Sequence, residues 1–152
     1  MANPDSVSQY SLESFGNGRI GVVTATQLNT VGNAVVTIPL LSGGMTKGAS
    51  AASSGGVIVR RITLNNPSGS LSTANVSITT SNDGNISNAV VANTTVSITA
   101  NGLYQDLTIA SPYSANTVVS GFNTNALYVN VNTASGNSNT VTIAVYGDVV
   151  SF

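Results

Sequence analysis

The chain has 152 residues, 41% of them hydrophobic and 6% charged, with a net charge of −1 and neither cysteine nor histidine. This length suits one domain with a sizeable core. The charge balance argues against a basic nucleic-acid surface, the lack of cysteine excludes disulfides and thiolate metal sites, and the lack of histidine removes the commonest general base. Soluble domains usually carry about 25% charged residues. Here the polar complement is mostly Ser, Thr and Asn. Such a surface has little charge repulsion to keep copies apart, so burial against identical or different subunits is expected.

Residues 1–18, MANPDSVSQYSLESFGNG, are polar with Tyr10 and Phe15 among them, and read as an extended N-terminal arm. They show no basic stretch followed by an apolar run. No apolar run of about 18 residues occurs anywhere. The expectation is a protein made in the cytoplasm, without an export signal and without a membrane partner. Residues 19–152 then form a single domain.

RIGVVTATQ, 19–27, reads as the first strand and AVVTIPLL, 34–41, as the second. Pro39 in the latter argues for an edge position or a bulge, because proline cannot donate to a ladder. SGGMTKGASAASSGG, 42–56, is a Gly/Ser/Ala loop around Lys47, long enough to be a contact segment. VIVRRITLN, 57–65, is a strong strand with an anomaly. Strict alternation would place Arg60 or Arg61 in an apolar row, so one arginine is buried by alternation or a bulge shifts the register.

NPSGS, 66–70, is a turn. TANVSITT, 73–80, follows, with Ala74, Val76 and Ile78 on the core face. NDG, 82–84, marks a hairpin. NISNAVV, 85–91, and TTVSITA, 94–100, read as two strands around Ala92-Asn93. NG at 101–102 is a further hairpin signal and precedes a strand over 103–110, SPYSANT is a loop, and VVSGF, 118–122, is a further strand. Leu127, Val129 and Val131, then Val141, Ile143 and Val145, alternate with polar residues on either side of a Gly-containing turn, which predicts a closing β-hairpin. Tyr128 and Tyr146 fall on its polar face, as an interface anchor or a cross-strand pair. Nine or ten short strands at regular spacing, with no helical periodicity, predict an all-β, antiparallel β-sandwich or barrel.

Catalytic and metal chemistry finds little support. The acids are Asp5, Glu13, Asp83, Asp106 and Asp148. A glycosidase would need two of them facing one another across a sugar. A serine triad cannot be built without histidine, and a Ser-Lys dyad would depend on Lys47 in the loop. SNDGN, 81–85, has oxygen ligands suited to Ca²⁺ but not a complete set. A protein without enzymatic activity or cofactor is expected. Arg60-Arg61 is the densest positive feature; it would either pair with acidic groups of a partner or lie along the surface with its stems packed down.

Three stretches together, VIVRRITLNNPSGSLSTANVSITTSNDG (57–84), SITANGLYQDLTIA (97–110) and ALYVNVNTASGNSNTVTIAVYGDVV (126–150), resemble the capsid decoration, or cement, proteins of tailed bacteriophages. The resemblance implies a jelly-roll-like β-sandwich on the outer capsid surface of a virion. It also implies binding to the major capsid protein and assembly into homo-oligomers such as trimers. The candidate capsid or subunit contacts are Tyr10, Phe15, Lys47, Arg60, Arg61, Tyr128 and Tyr146. The rival expectation is a receptor- or carbohydrate-binding module of a head or tail fibre, with Tyr113, Phe122 and Asn123 as sugar contacts.

Overall fold

A computed structural model of the protein describes residues 18–40, 55–115, 117, 119–120 and 126–151. They form nine strands: β1 Gly18–Gln27, β2 Gly32–Pro39, β3 Gly55–Asn65, β4 Asn75–Thr79, β5 Ala89–Thr95, β6 Gln105–Leu107, β7 Val119–Ser120, β8 Ala126–Thr133 and β9 Thr140–Ser151. Two 3-10 turns, Ile86–Asn88 and Tyr113–Ala115, are the only helical pieces among the described residues. Tyr10, Phe15 and Lys47, and most of the expected arm and loop, lie outside the described residues. The flanking boundaries differ slightly from expectation. Gly18 belongs to β1 and pairs with Gly147, and Gly55 and Gly56 belong to β3, pairing with Ser151 and Val150.

The strands form two antiparallel sheets. Sheet A has the order β1-β9-β3-β6, with β7 also paired to β3, and sheet B has the order β2-β8-β4-β5. β6 and β7 pair with successive parts of one edge of β3, so they are two pieces of a single strand position. With that, pairing is nested: first strand with last, second with second-last, third with the β6/β7 edge, and β4 with β5 as the innermost pair. This nesting is the jelly-roll arrangement of a β-sandwich. β2 sits at an edge, as Pro39 required.

The core is the set of inward residues that the alternation picks out. Ala74, Val76 and Ile78 are buried, as are Leu127, Val129, Val131, Val141, Ile143 and Val145. Ile38, Ile62, Leu64, Leu71 and Ile98 join them in one cluster.

Three expectations are corrected. β8 and β9 are not a hairpin. β8 lies between β2 and β4 in sheet B, and β9 lies between β1 and β3 in sheet A. Their apolar faces meet across the core. Period-two alternation reports which face is buried, and it is the same for strands side by side and strands face to face. Tyr128 and Tyr146 are therefore on opposite outer faces and form no cross-strand pair.

Residues 85–100 hold one strand, not two. Asn85 caps the turn 86–88 through its side chain, which accepts from Ser87 N. β5 then runs through Ala92-Asn93, and Val96 and Ile98 are buried in extended chain beyond it. The strand expected over 103–110 is reduced to Gln105–Leu107, and Asn101-Gly102 turns the chain from sheet B to sheet A without closing a hairpin, because β5 pairs with β4 and β6 with β3. Of the expected 118–122, Val119–Ser120 is strand and the remainder lies outside the described residues.

The anomaly at the arginines resolves as a bulge. The β3–β9 register shifts between Val59 and Arg61. Val57 and Val59 face inward before it, Ile62 and Leu64 after it, and both arginines are exposed.

The sandwich is also closed at its sides. Gly21 bridges Leu40 where β1 meets the end of β2. On the other side the Gln105 amide accepts from Ser97 N at 2.7 Å and donates to Thr95 O at 3.1 Å, so a side chain takes the place of a ladder bond between sheets. Such closure leaves few open strand edges for unwanted pairing.

Ala25 and Ala34 adopt φ of +52° and +48°. A left-handed conformation costs an L-residue with a Cβ roughly 1–2 kcal/mol. Replacing exposed Ala25 by glycine is expected to raise stability by about 0.5 kcal/mol, the strain relief exceeding the entropy that glycine adds to the unfolded chain. Denaturant titration checks this, and a lowered midpoint would contradict it.

Candidate functional site

The outer face of sheet A gathers the charges. β1 carries Arg19, β9 carries Tyr146 and Asp148, β3 carries Arg60 and Arg61, and β6 carries Asp106. Tyr146 lies directly between Arg19 and Arg61 in the register. Arg61 Nε donates to Asp106 Oδ1 at 2.9 Å, and Arg60 Nε donates to Asp148 Oδ2 at 2.9 Å. Of the charged residues in the described chain only Asp83 lies elsewhere. Three arginines against two aspartates leave this face with a local charge of +1. Tyr104, just before β6, is 66% exposed at its rim. The hydrogen bond to Asp106 is the main reason that Arg61 holds its proton more tightly than a free guanidinium, with Tyr104 and Tyr146 adding to it and partial desolvation opposing. Solvated ion pairs of this kind contribute little to stability.

The outer face of sheet B has a different character. Asn130, Ser77 and Thr79 point outward from the core, yet they are 1%, 4% and 0% exposed. The Asn130 amide oxygen accepts from Ala34 N at 2.8 Å, and its NH₂ donates to Thr79 Oγ1 at 3.1 Å and Ser77 Oγ at 3.4 Å. Asn132 donates to Ser77 and to Asn93. The β2 register shift between Gly32 and Val36 brings the Ala34 backbone into this network. Part of the neutral Asn/Ser/Thr surface is thus buried by the chain itself rather than by a neighbour. Tyr128 is half-buried on this face, between Thr37 and Thr79.

The two ends of the sandwich also differ. At one end, the loops 28–31, 66–74, 96–104 and 134–139 are stitched together. Ser135 N donates to Leu28 O at 2.7 Å, Thr73 Oγ1 to Ser135 O at 2.6 Å, Leu71 N to Ile98 O at 2.8 Å, and Asn137 and Asn139 both donate to Ser70 O. At the other end, Gly18 sits beside Gly147, Gly55 beside Ser151, Gly56 beside Ser120 and Pro39 beside Ala126. The segments 1–17, 41–54 and 121–125 therefore all attach there. These include Tyr10, Phe15, Lys47, Phe122 and Asn123.

The catalytic possibilities can be placed. Asp106 lies beside Thr63 and Asp148 beside Ile58, on opposite sides of β3. After the bulge is discounted, their backbones are about 13 Å apart along the strand and about 9.5 Å across it. Paired glycosidase carboxylates stand about 5–9.5 Å apart. Asp83 is occupied locally. Its Oδ1 accepts from Ser81 Oγ at 2.5 Å and Asn85 N at 2.9 Å, which lowers its pKa. Among the described residues no group of three or more metal-ligating side chains occurs, and no helix is long and apolar enough to cross a membrane. Tyr113 is partly buried against the core.

Of the expected contacts, Arg60, Arg61 and Tyr146 come together on one face and Tyr128 lies on the opposite one. Arg19, Tyr104, Asp106 and Asp148 belong to the same constellation, and nothing local in the sequence marked them. Only strand register places them side by side. Comparison of the chain with protein-family models, with curated proteins and with solved structures gives no match.

Proposed function

We propose that the protein is a non-enzymatic virion component that decorates and stabilises a phage capsid by binding the major capsid protein. The observation that carries this reading is the asymmetry of the ends. One end is closed by hydrogen bonds. The other collects the attachments of the polar N-terminal segment and the Gly/Ser/Ala segment around Lys47, the two parts whose composition suits contact with a partner. A sandwich standing on the shell by that end, its closed end outward, follows. The charge-poor surface and the resemblance of residues 57–150 to decoration proteins support the same reading.

Deleting residues 1–15 is expected to abolish capsid binding while the far-ultraviolet CD spectrum stays that of the β-sandwich. Normal co-sedimentation of the truncated protein with capsids would refute it. Mass spectrometry of purified particles gives the copy number. Abundance comparable to the major capsid protein fits decoration. A number far below it would favour the second reading, a receptor- or carbohydrate-binding module of a head or tail fibre.

A further inference from the structure

We infer that the outer face of sheet A is a self-association surface, and that its occupant is the same face of a second copy. The reason is charge complementarity under a two-fold axis. Across the sheet, the order of side chains is Arg19 on β1, Tyr146 and Asp148 on β9, Arg60 and Arg61 on β3, and Asp106 on β6. An axis between two such faces, parallel to the strands and over the β9–β3 boundary, sets β1 over β6 and β9 over β3 while keeping the height along the strands.

Each charge then meets its complement in the second copy. Arg19 faces the strand position of Asp106, whose Cα stands two residues, about 6.6 Å, further along the strands, a span that the long arginine side chain covers. Arg60 faces Asp148, so the existing ion pair on each face joins the other into a four-charge ring. Arg61 faces the Tyr146 ring, a cation–π arrangement. An axis perpendicular to the strands would instead place Arg19 over Arg19 and Arg61 over Arg61, which like-charge repulsion disfavours. Isologous contact of this kind is the commonest closed symmetry.

The patch measures about 19 Å by 23 Å from strand spacing and rise. That falls below the roughly 800 Å² per partner of a standard interface. The dimer is therefore weak in free solution, salt-sensitive, and favoured where copies are concentrated side by side. A monomer that still binds capsids would overturn the inference and leave the functional reading intact.

The test is sedimentation velocity of the full chain from about 10 µM to about 1 mM, at about 50 mM and about 500 mM salt. A reversible dimer is expected, with an association constant falling at least about tenfold at the higher salt. Arg19→Asp and Asp106→Arg are each expected to be monomeric alone, because each places like charges opposite one another twice. Mixed in equal amounts they should form a heterodimer, in which both contacts pair opposite charges. CD confirms that each variant is folded. A wild-type protein that stays monomeric at the highest concentration, a trimer in place of the dimer, or variants that dimerise as the wild type does would each overturn the inference. The wild-type titration decides by itself should a variant fail to fold.

Discussion

Replacing Gly147 by alanine is expected to destabilise the protein by more than about 3 kcal/mol, because a Cβ cannot be accommodated opposite the β3 bulge. A Cβ built at Gly147 would collide with the carbonyl oxygen of Ile58. The obstacle is backbone, in the central β3–β9 pair, and not a side chain that can rotate away. Relief requires the two strands to separate at the point where Val59 and Val145 face the core. For a chain of this size the loss corresponds to a melting temperature lower by roughly 6–12 °C. Gly136→Ala is the matched control. It has φ of +72° but open space around it, so it should cost only about 1 kcal/mol. Guanidinium titrations of the two variants measure the contrast. Equal midpoints would mean that β3 yields at the bulge, and the close approach would then not be essential to the fold.

The second large effect is expected at Asn130. Leucine has the same branching, with two methyl groups in place of the amide oxygen and nitrogen, and would raise the hydrophobicity of a residue that is 1% exposed. If burial of apolar surface alone governed this site, Asn130→Leu would be neutral or stabilising. Instead a loss of about 2–4 kcal/mol is expected. The Ala34 N–H loses its acceptor while remaining beneath the β2 bulge, and buried Ser77 and Thr79 lose an amide donor. The amide of Asn130 uses its oxygen and its NH₂ together, and no apolar side chain reproduces that. Amide hydrogen exchange at Ala34 supplies an independent readout: its protection should fall in the variant even under conditions where the fold persists. Unchanged stability and protection would show the network to be incidental.

These two sites explain much of the unusual composition. A β-sandwich normally meets water with charged outer residues. Here one outer face pairs many of its polar groups internally through Asn130, Asn132, Ser77 and Thr79, with Asn75 Oδ1 left as a buried oxygen without a partner, and the other concentrates nearly all the described charge. The question of why strand faces carry Asn, Thr and Ser instead of Lys and Glu has a structural answer for sheet B. Neutral amides and hydroxyls can be covered by the β2 bulge without leaving an ion in a poorly solvated place.

Much of the fold was legible locally. Alternation in 74–78, 127–131 and 141–145 marked the inward residues correctly, whereas strict alternation in 57–64 separated Val57 and Val59 from Ile62 and Leu64, and the misfit of Arg60-Arg61 pointed to the bulge that brings all four inward. Pro39 marked an edge strand. Legibility failed where a short polar segment had to choose between turn and ladder, as at Ala92-Asn93, which lies within β5, where the strand pairs with β4 and Asn93 accepts from Asn132 of β8 across the intervening β4. It failed again for the last two strands, where the six-residue spacing and the Gly-containing turn suited a hairpin equally well.

What the sequence by itself determined is the two-faced character of each strand, the identity of the core, the absence of cysteine and histidine chemistry, and the neutral surface. These depend on residue type and on a period of two, which is set by backbone geometry within a single strand. Only the tertiary structure decided which strands are partners: that β9 joins β1 to β3, that β8 joins β2 to β4, and hence that Arg19, Tyr146 and Arg61 form one row with Asp106 two residues further along, beside Thr63. Pairing is chosen by the combined burial of both sheets and by the stitched loops at one end, in which Ser70, Ser135, Asn137 and Asn139 hold chain segments that are distant in sequence. Those terms are collective, and no single segment carries them.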